Sequence, residues 1–85
     1  MAKYKITFKK SVAGDLRAIP NRDVKRILKR IDTLAENPRC AGCIKLTGRE
    51  LYRVRQGNYR IVYEIVDTRL VVCVVKVAHR SVVYN

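Results

Sequence analysis

Residues 50–77 read ELYRVRQGNYRIVYEIVDTRLVVCVVKV, and the fold turns on how this stretch doubles back. Three runs rich in Val, Ile and Tyr, at about 50–55, 59–66 and 70–77, are separated by Gly57-Asn58 and by Asp67, Thr68 and Arg69. Connections this short hold no crossover helix, so the three strands run antiparallel. Gly57-Asn58 suits a two-residue primed turn, which sets Tyr52 opposite Tyr63 and Val54 opposite Ile61 on one face. The other face then has Arg55 opposite Arg60, with Arg53 one step along. A slip of one residue would mix arginines into the apolar face. Taking 67–69 as a three-residue loop sets Tyr63 opposite Cys73, Ile61 opposite Val75 and Ile65 opposite Val71, continuing the apolar face. The far face collects Arg53, Arg55, Arg60 and Lys76, and Arg80 if the strand continues, with Glu64 as the one acid among them.

Upstream, Tyr4, Ile6 and Phe8 alternate with Lys3, Lys5 and Thr7, the period of a half-buried strand. Ser11 can cap a short helix with Val12, Leu16 and Ile19 inward. Pro20 breaks it, and Asn21 can cap a second helix. There Val24, Ile27, Leu28, Ile31, Leu34 and Ala35 form one apolar stripe at 3.6-residue spacing, while Arg22, Lys25, Arg26, Lys29 and Arg30 take the remaining surface. Asn37-Pro38 ends this helix, and residues 39–48 read as a loop. The expected domain, residues 1–85, is α+β with two layers in the order β-α-α-β-β-β. Its helical hairpin is an antiparallel pair packed on a mainly antiparallel sheet.

The composition narrows the function. Nineteen Lys and Arg against seven Asp and Glu give a net charge of +12 over 85 residues. No window approaches the ~20 apolar residues that span a bilayer, and charges from Lys3 onward do not fit a secretion signal. Hydrophobic residues make up 48% and fall in ordered patterns, which argues against disorder. The expectation is a small, cytoplasmic, basic domain. Residues 1–30 carry ten basic and two acidic groups, largely on helices where such charge is common. Arginines inside strands carry more meaning: two guanidiniums across a ladder repel, and a chain that hides only ~60% of its unfolded surface has little stability to spare. One reading is a solvated face whose arginines lie over apolar neighbours. The stronger reading is a polyanion site, with RNA or DNA ahead of an acidic protein.

His79, Arg80 and Tyr84 follow the last strand. A tyrosine among arginines can stack on an unpaired base or, beside cations, have its pKa lowered until it accepts a proton. No Ser-His-Asp set, paired carboxylates or phosphate loop is apparent, so catalysis would rest on cations and phenol. Cys40-Ala41-Gly42-Cys43 is a CxxC. A structural zinc needs four ligands, only Cys73 and His79 remain, and Cys73 is assigned to the packed face. The loop does not open a helix as a redox CxxC ordinarily does. Reduced, incidental thiols and no metal or cofactor are therefore expected.

Taken together, Lys45-Leu46 and Gly48, Leu51-Tyr52-Arg53-Val54-Arg55, Gly57-Asn58-Tyr59-Arg60-Ile61-Val62-Tyr63, His79-Arg80 and Val83-Tyr84 give the chain a resemblance over nearly its whole length. It resembles the RelE/ParE toxin superfamily, and most closely the RelE branch. The resemblance implies a single RelE-like domain, the toxin of a type II toxin–antitoxin pair. Such a toxin enters the ribosomal A site and cuts the mRNA codon there by metal-independent attack of a ribose 2′-OH. It also implies roles: Arg60 holds the scissile phosphate, Arg80 stabilises transition-state charge and protonates the leaving oxygen, and Tyr84 is general base and stacking group. Arg53 and Arg55 stand where the best-known branch has lysines; an arginine does not readily lose a proton, so they would act as fixed cations. Lys45, Lys76 and His79 are expected RNA contacts. The expected partners are ribosome and mRNA, and an acidic RelB-like antitoxin whose complex binds operator DNA. The alternative within the superfamily is a ParE-like inhibitor of DNA gyrase that cuts no RNA.

Overall fold

The computed structural model describes residues 3–40, 42–46 and 51–79. Strand β1 (Lys5–Phe8) leads into helix α1 (Lys10–Arg17), helix α2 (Asn21–Leu34), a two-residue strand β2 (Ile44–Lys45), and then β3 (Leu51–Gln56), β4 (Tyr59–Val66) and β5 (Val71–His79). The strands form one sheet in the order β1-β5-β4-β3-β2. Only the β1–β5 pair is parallel among the described strands. This is the expected two-layer α+β domain with one added strand: β2, inside the stretch read as a loop, sets Ile44 opposite Arg53 and Lys45 opposite Tyr52.

The helices turn the predicted stripe toward the core, with Leu16 and Val24 half-buried against it and Leu28 the exception. Val12 and Ile19 from the first helical segment and Ile27, Ile31, Leu34 and Ala35 from the second are buried, whereas Leu28 is 38% exposed. Neither expected cap forms. Helix α1 begins at Lys10, so Ser11 lies inside it, and α2 begins at Asn21 itself, after Pro20; neither N-cap makes a side-chain hydrogen bond. Proline's fixed φ already suits a helix entry. Helix α1 packs against β5, and α2 lies over β3 and β4.

Against the helices stand Tyr52 and Val54 from β3, Ile61, Tyr63 and Ile65 from β4, and Val72, Val74 and Val77 from β5. Tyr63 is fully buried. Its ring stacks on Tyr52, with centroids 6.0 Å apart, and its hydroxyl donates to the Pro38 carbonyl at 2.6 Å. That bond satisfies a polar group which would otherwise be costly to bury.

The first hairpin has the expected register, with Tyr52 opposite Tyr63, Val54 opposite Ile61 and Arg55 opposite Arg60. The second does not. Its turn takes in Leu70, which lies at φ 52, so Ile65 opposes Val72 and Tyr63 opposes Val74, not Val71 and Cys73. A register shift between Val62 and Tyr63 then leaves Val75 unpaired and sets Ile61 opposite Val77. Cys73 consequently opposes Glu64 on the face away from the helices and is only half-buried, contrary to its assignment to the packed face. The bulge has a use. Without it Lys76 would oppose Ile61 and enter the core; with it Lys76 opposes Val62 on the outer face.

Candidate functional site

The outer face of β3 and β4 carries the arginines. Arg55 is directly across from Arg60, and Arg53 is across from Val62, so three guanidiniums occupy two adjacent strands at alternating positions. Lys76 and Ala78 on β5 oppose Val62 and Arg60. Val62 shares this face yet is only 6% exposed. Register sets the long stems of Arg53 and Lys76 to either side of it, the arrangement by which basic side chains lay methylenes over an apolar neighbour.

The electrostatics are those of crowded cations. Burial, followed by repulsion from Arg60 and Arg55, holds the Arg53 guanidinium below the usual arginine range. The Arg60 Nε is buried without a hydrogen-bond partner. Lys76 is partly neutralised: its Nζ lies 3.8 Å from Asp15 Oδ1 in α1, and Asp15 Oδ2 accepts from the Val77 N–H at 3.2 Å. By contrast, Arg39 is engaged elsewhere. It makes a two-pronged ion pair with Asp67 at 3.2 and 2.8 Å and lies over the Tyr52 ring at 5.6 Å. Arg39 is thus used in structure, whereas Arg53, Arg55 and Arg60 carry their charge on the outer sheet face.

A shallow groove of about 420 Å³ adjoins the cluster, lined by Arg30, Gly42, Ile44, Arg53, Val54 and Arg55. It brings Arg30 of α2 beside Arg53 and Arg55. The sequence reading left Arg30 on the solvated helix surface, and helical spacing gives no signal that the edge of β3 lies next to it. On the β2 side of β3 no strand pairs with Val54–Gln56 among the described residues, and Ile44 itself is 50% exposed.

The other expected contacts are dispersed. Lys45 lies on β2 opposite Tyr52. His79 opposes Tyr59 and meets its ring edge-on at 5.4 Å, on the face opposite to Arg60 and Ala78. Arg80 and Tyr84 fall outside the described residues, as does Gly48. Arg53, Arg55, Arg60 and Lys76 are therefore brought together, while His79 and Lys45 are not. What the cluster can do chemically is hold a phosphodiester: Arg53, Arg55 and Arg60 share a face on which Glu64 is the one acid of β3 and β4.

Comparison with known proteins supplies the family. Residues 6–84 match the family described as the ParE toxin of the type II toxin–antitoxin system parDE. The toxin RelE1 of Methanocaldococcus jannaschii is 29% identical over 87 residues, covering 98% of this chain and 97% of its own. Among solved structures, the archaeal RelE–RelB complex from Pyrococcus horikoshii superposes with a TM-score of 0.83 at 29% identity, covering 95% of this chain and 99% of that one. The toxin–antitoxin complex RelBE2 from Mycobacterium tuberculosis gives 0.83 at 25% identity, over 92% and 99%.

Proposed function

This chain belongs to the ParE-toxin family of type II toxin–antitoxin systems, on the RelE-like side of the RelE/ParE superfamily, and from that premise we propose that it is a ribosome-dependent mRNA endoribonuclease. The observation that carries the reading is the set of Arg53, Arg55 and Arg60 on one sheet face, with the Arg60 Nε unpaired. In the proposed reaction a ribose 2′-oxygen attacks the adjacent phosphorus as the 2′-OH proton passes to a base, the role proposed for Tyr84. The P–O5′ bond breaks, the 5′-oxygen takes a proton, for which Arg80 is the proposed donor, and a 2′,3′-cyclic phosphate remains. The phosphorane oxygens gain negative charge in the transition state, and Arg60, flanked by Arg53 and Arg55, stabilises that charge. Loss of one such preorganised donor commonly costs ~100–1,000-fold in rate. The ribosome supplies the bent, in-line geometry of the codon.

An acidic RelB-like antitoxin is the proposed partner. A net charge of +12 favours an acidic wrap, and the P. horikoshii and M. tuberculosis relatives are complexes of toxin with antitoxin. The toxin–antitoxin complex would be the form that binds operator DNA. Coexpression with a neighbouring small acidic reading frame should restore growth and yield a copurifying complex; the absence of both would remove this part of the proposal.

A second reading, inhibition of DNA gyrase, is favoured by the family match itself, which is described as ParE. Induced expression separates the two. The nuclease reading expects prompt arrest of translation and primer-extension stops within translated codons, both abolished in Arg60→Ala, Arg80→Ala and Tyr84→Phe. The gyrase reading expects SOS induction and gyrase–DNA breaks with intact mRNA.

A further inference from the structure

Beyond Pro38, whose carbonyl accepts from the Tyr63 hydroxyl at 2.6 Å, the chain carries two cysteines. Cys40 and Cys43 are both half-buried against the core. The Cys43 N–H donates to the Cys40 carbonyl at 3.1 Å, closing a tight turn. Gly42 within it has φ +88, the left-handed conformation that a type II turn requires at its third residue. A Cβ at Gly42 would meet nothing within 4 Å, so backbone conformation and not crowding calls for glycine here. Such a turn brings its first and last Cα within ~7 Å, a span that overlaps the ~4.4–6.8 Å typical of disulfides. The Arg30 Nη2 donates to the Cys40 Sγ at 3.7 Å. Burial, and after it the neighbouring Cys43 and Cys40 thiols, pushes the Tyr63 phenol well above the ordinary tyrosine range. Gly42 of this turn also lines the groove that Arg30 borders.

We propose that Cys40 and Cys43 are a redox modification site, forming a reversible intramolecular disulfide on the turn that leads into β2. The third thiol, Cys73, is on β5 opposite Glu64, on the other side of the sheet, and is not the partner. With a small-molecule disulfide such as oxidised dithiothreitol as oxidant, one cysteine thiolate attacks an oxidant sulfur, making a mixed disulfide and freeing the other oxidant sulfur as a thiol. The second cysteine thiolate then attacks the protein sulfur of that bond and releases the second thiol. The protein loses two thiol hydrogens and two electrons, and the oxidant is reduced to two thiols. The inference does not rest on the nuclease reading.

The test equilibrates the whole chain in graded ratios of oxidised to reduced dithiothreitol, followed by acid quench, alkylation and mass measurement. Trypsin releases both cysteines in one peptide, CAGCIK, residues 40–45. At the oxidising end this peptide should be lighter by two hydrogens and carry no alkyl group, and alkylation of the intact chain should fall from three sites to one. Cys73→Ser should leave the peptide's oxidation unchanged, while Cys40→Ser and Cys43→Ser should each keep both remaining thiols. Peptide mapping of the unaltered chain makes the result independent of how those variants fold. A fully alkylated CAGCIK under oxidising conditions, or a disulfide that instead includes Cys73 or a second chain, would overturn the proposal.

Discussion

Replacing Arg60 with methionine should make this protein more stable while making it inactive. Methionine keeps a long, flexible stem and removes the guanidinium, and two unfavourable contributions go with it. The buried Arg60 Nε has no acceptor, and an unsatisfied buried donor costs ~1–3 kcal/mol. Arg55 lies directly across the ladder, and Arg53 already feels the Arg60 charge. Two unit charges ~8 Å apart at an effective dielectric of ~40–80 repel by ~0.5–1 kcal/mol. Lost packing of the guanidinium offsets part of this, leaving a net gain of ~1–2 kcal/mol, and each kcal/mol raises Tm by ~4–8 °C in a domain this small. Urea unfolding at 0.1 and 1 M NaCl separates the contributions. The Debye length falls from ~10 Å to ~3 Å between them, so the repulsive part of the gain should vanish at high salt while the unpaired-donor part persists. An Arg60→Met variant that unfolds at equal or lower urea than the parent in both salts would refute the idea that Arg60 is held at a cost to the fold.

Three further perturbations probe the frame. Tyr63→Phe leaves the Pro38 carbonyl without its donor and should cost ~1 kcal/mol. The raised phenol pKa also sets a sign: its contribution is full below the ordinary tyrosine value of ~10 and is lost as pH climbs above it toward the folded value. Urea midpoints from pH 8 to 11 should therefore fall more steeply in the parent than in the variant. Asp67, held below the usual carboxylate range first by Arg39 and then by Tyr4, contributes stability above its unfolded pKa that is lost as pH falls through the folded value. Asp67→Asn should flatten the acid limb of the same titration. Leu70→Gly removes a bulky residue from a left-handed position and should stabilise by up to ~1 kcal/mol in thermal unfolding.

How far the sequence could be read depended on the signal at each turn. Gly57-Asn58 specifies a two-residue hairpin, and a slip of one residue would bury arginines, so the Arg55–Arg60 pairing was legible. The β4–β5 hairpin carried no such mark. A leucine at φ 52 is not a residue that announces a turn, and the bulge at Val75 lies in a run of valines where one register looks as apolar as the next. Two shifts of one residue, in the turn and at the bulge, return Lys76 to the arginine face but move Cys73 out of the core. Strand β2 was hidden because two residues have no periodicity; its pairing with Arg53 and Tyr52 makes it a strand. Arg30 was unreadable as a neighbour of the site, since its position depends on how α2 lies over β3. The caps failed for a simpler reason: Asn21 and Ser11 can cap a helix, but Asn21 is the first residue of its helix and Ser11 the second of its own.

The central claim is that the arginine face handles the scissile phosphate of mRNA. Its most direct measurement is the single-turnover rate of cleavage on ribosomes programmed with a defined A-site codon, with parent and Arg60→Ala toxin compared at saturating concentration. The account predicts a cut within that codon, an end bearing a 2′,3′-cyclic phosphate, and a rate lowered ~100-fold or more in the variant. Equal rates for the two proteins, or intact mRNA beside a folded parent toxin, would contradict it.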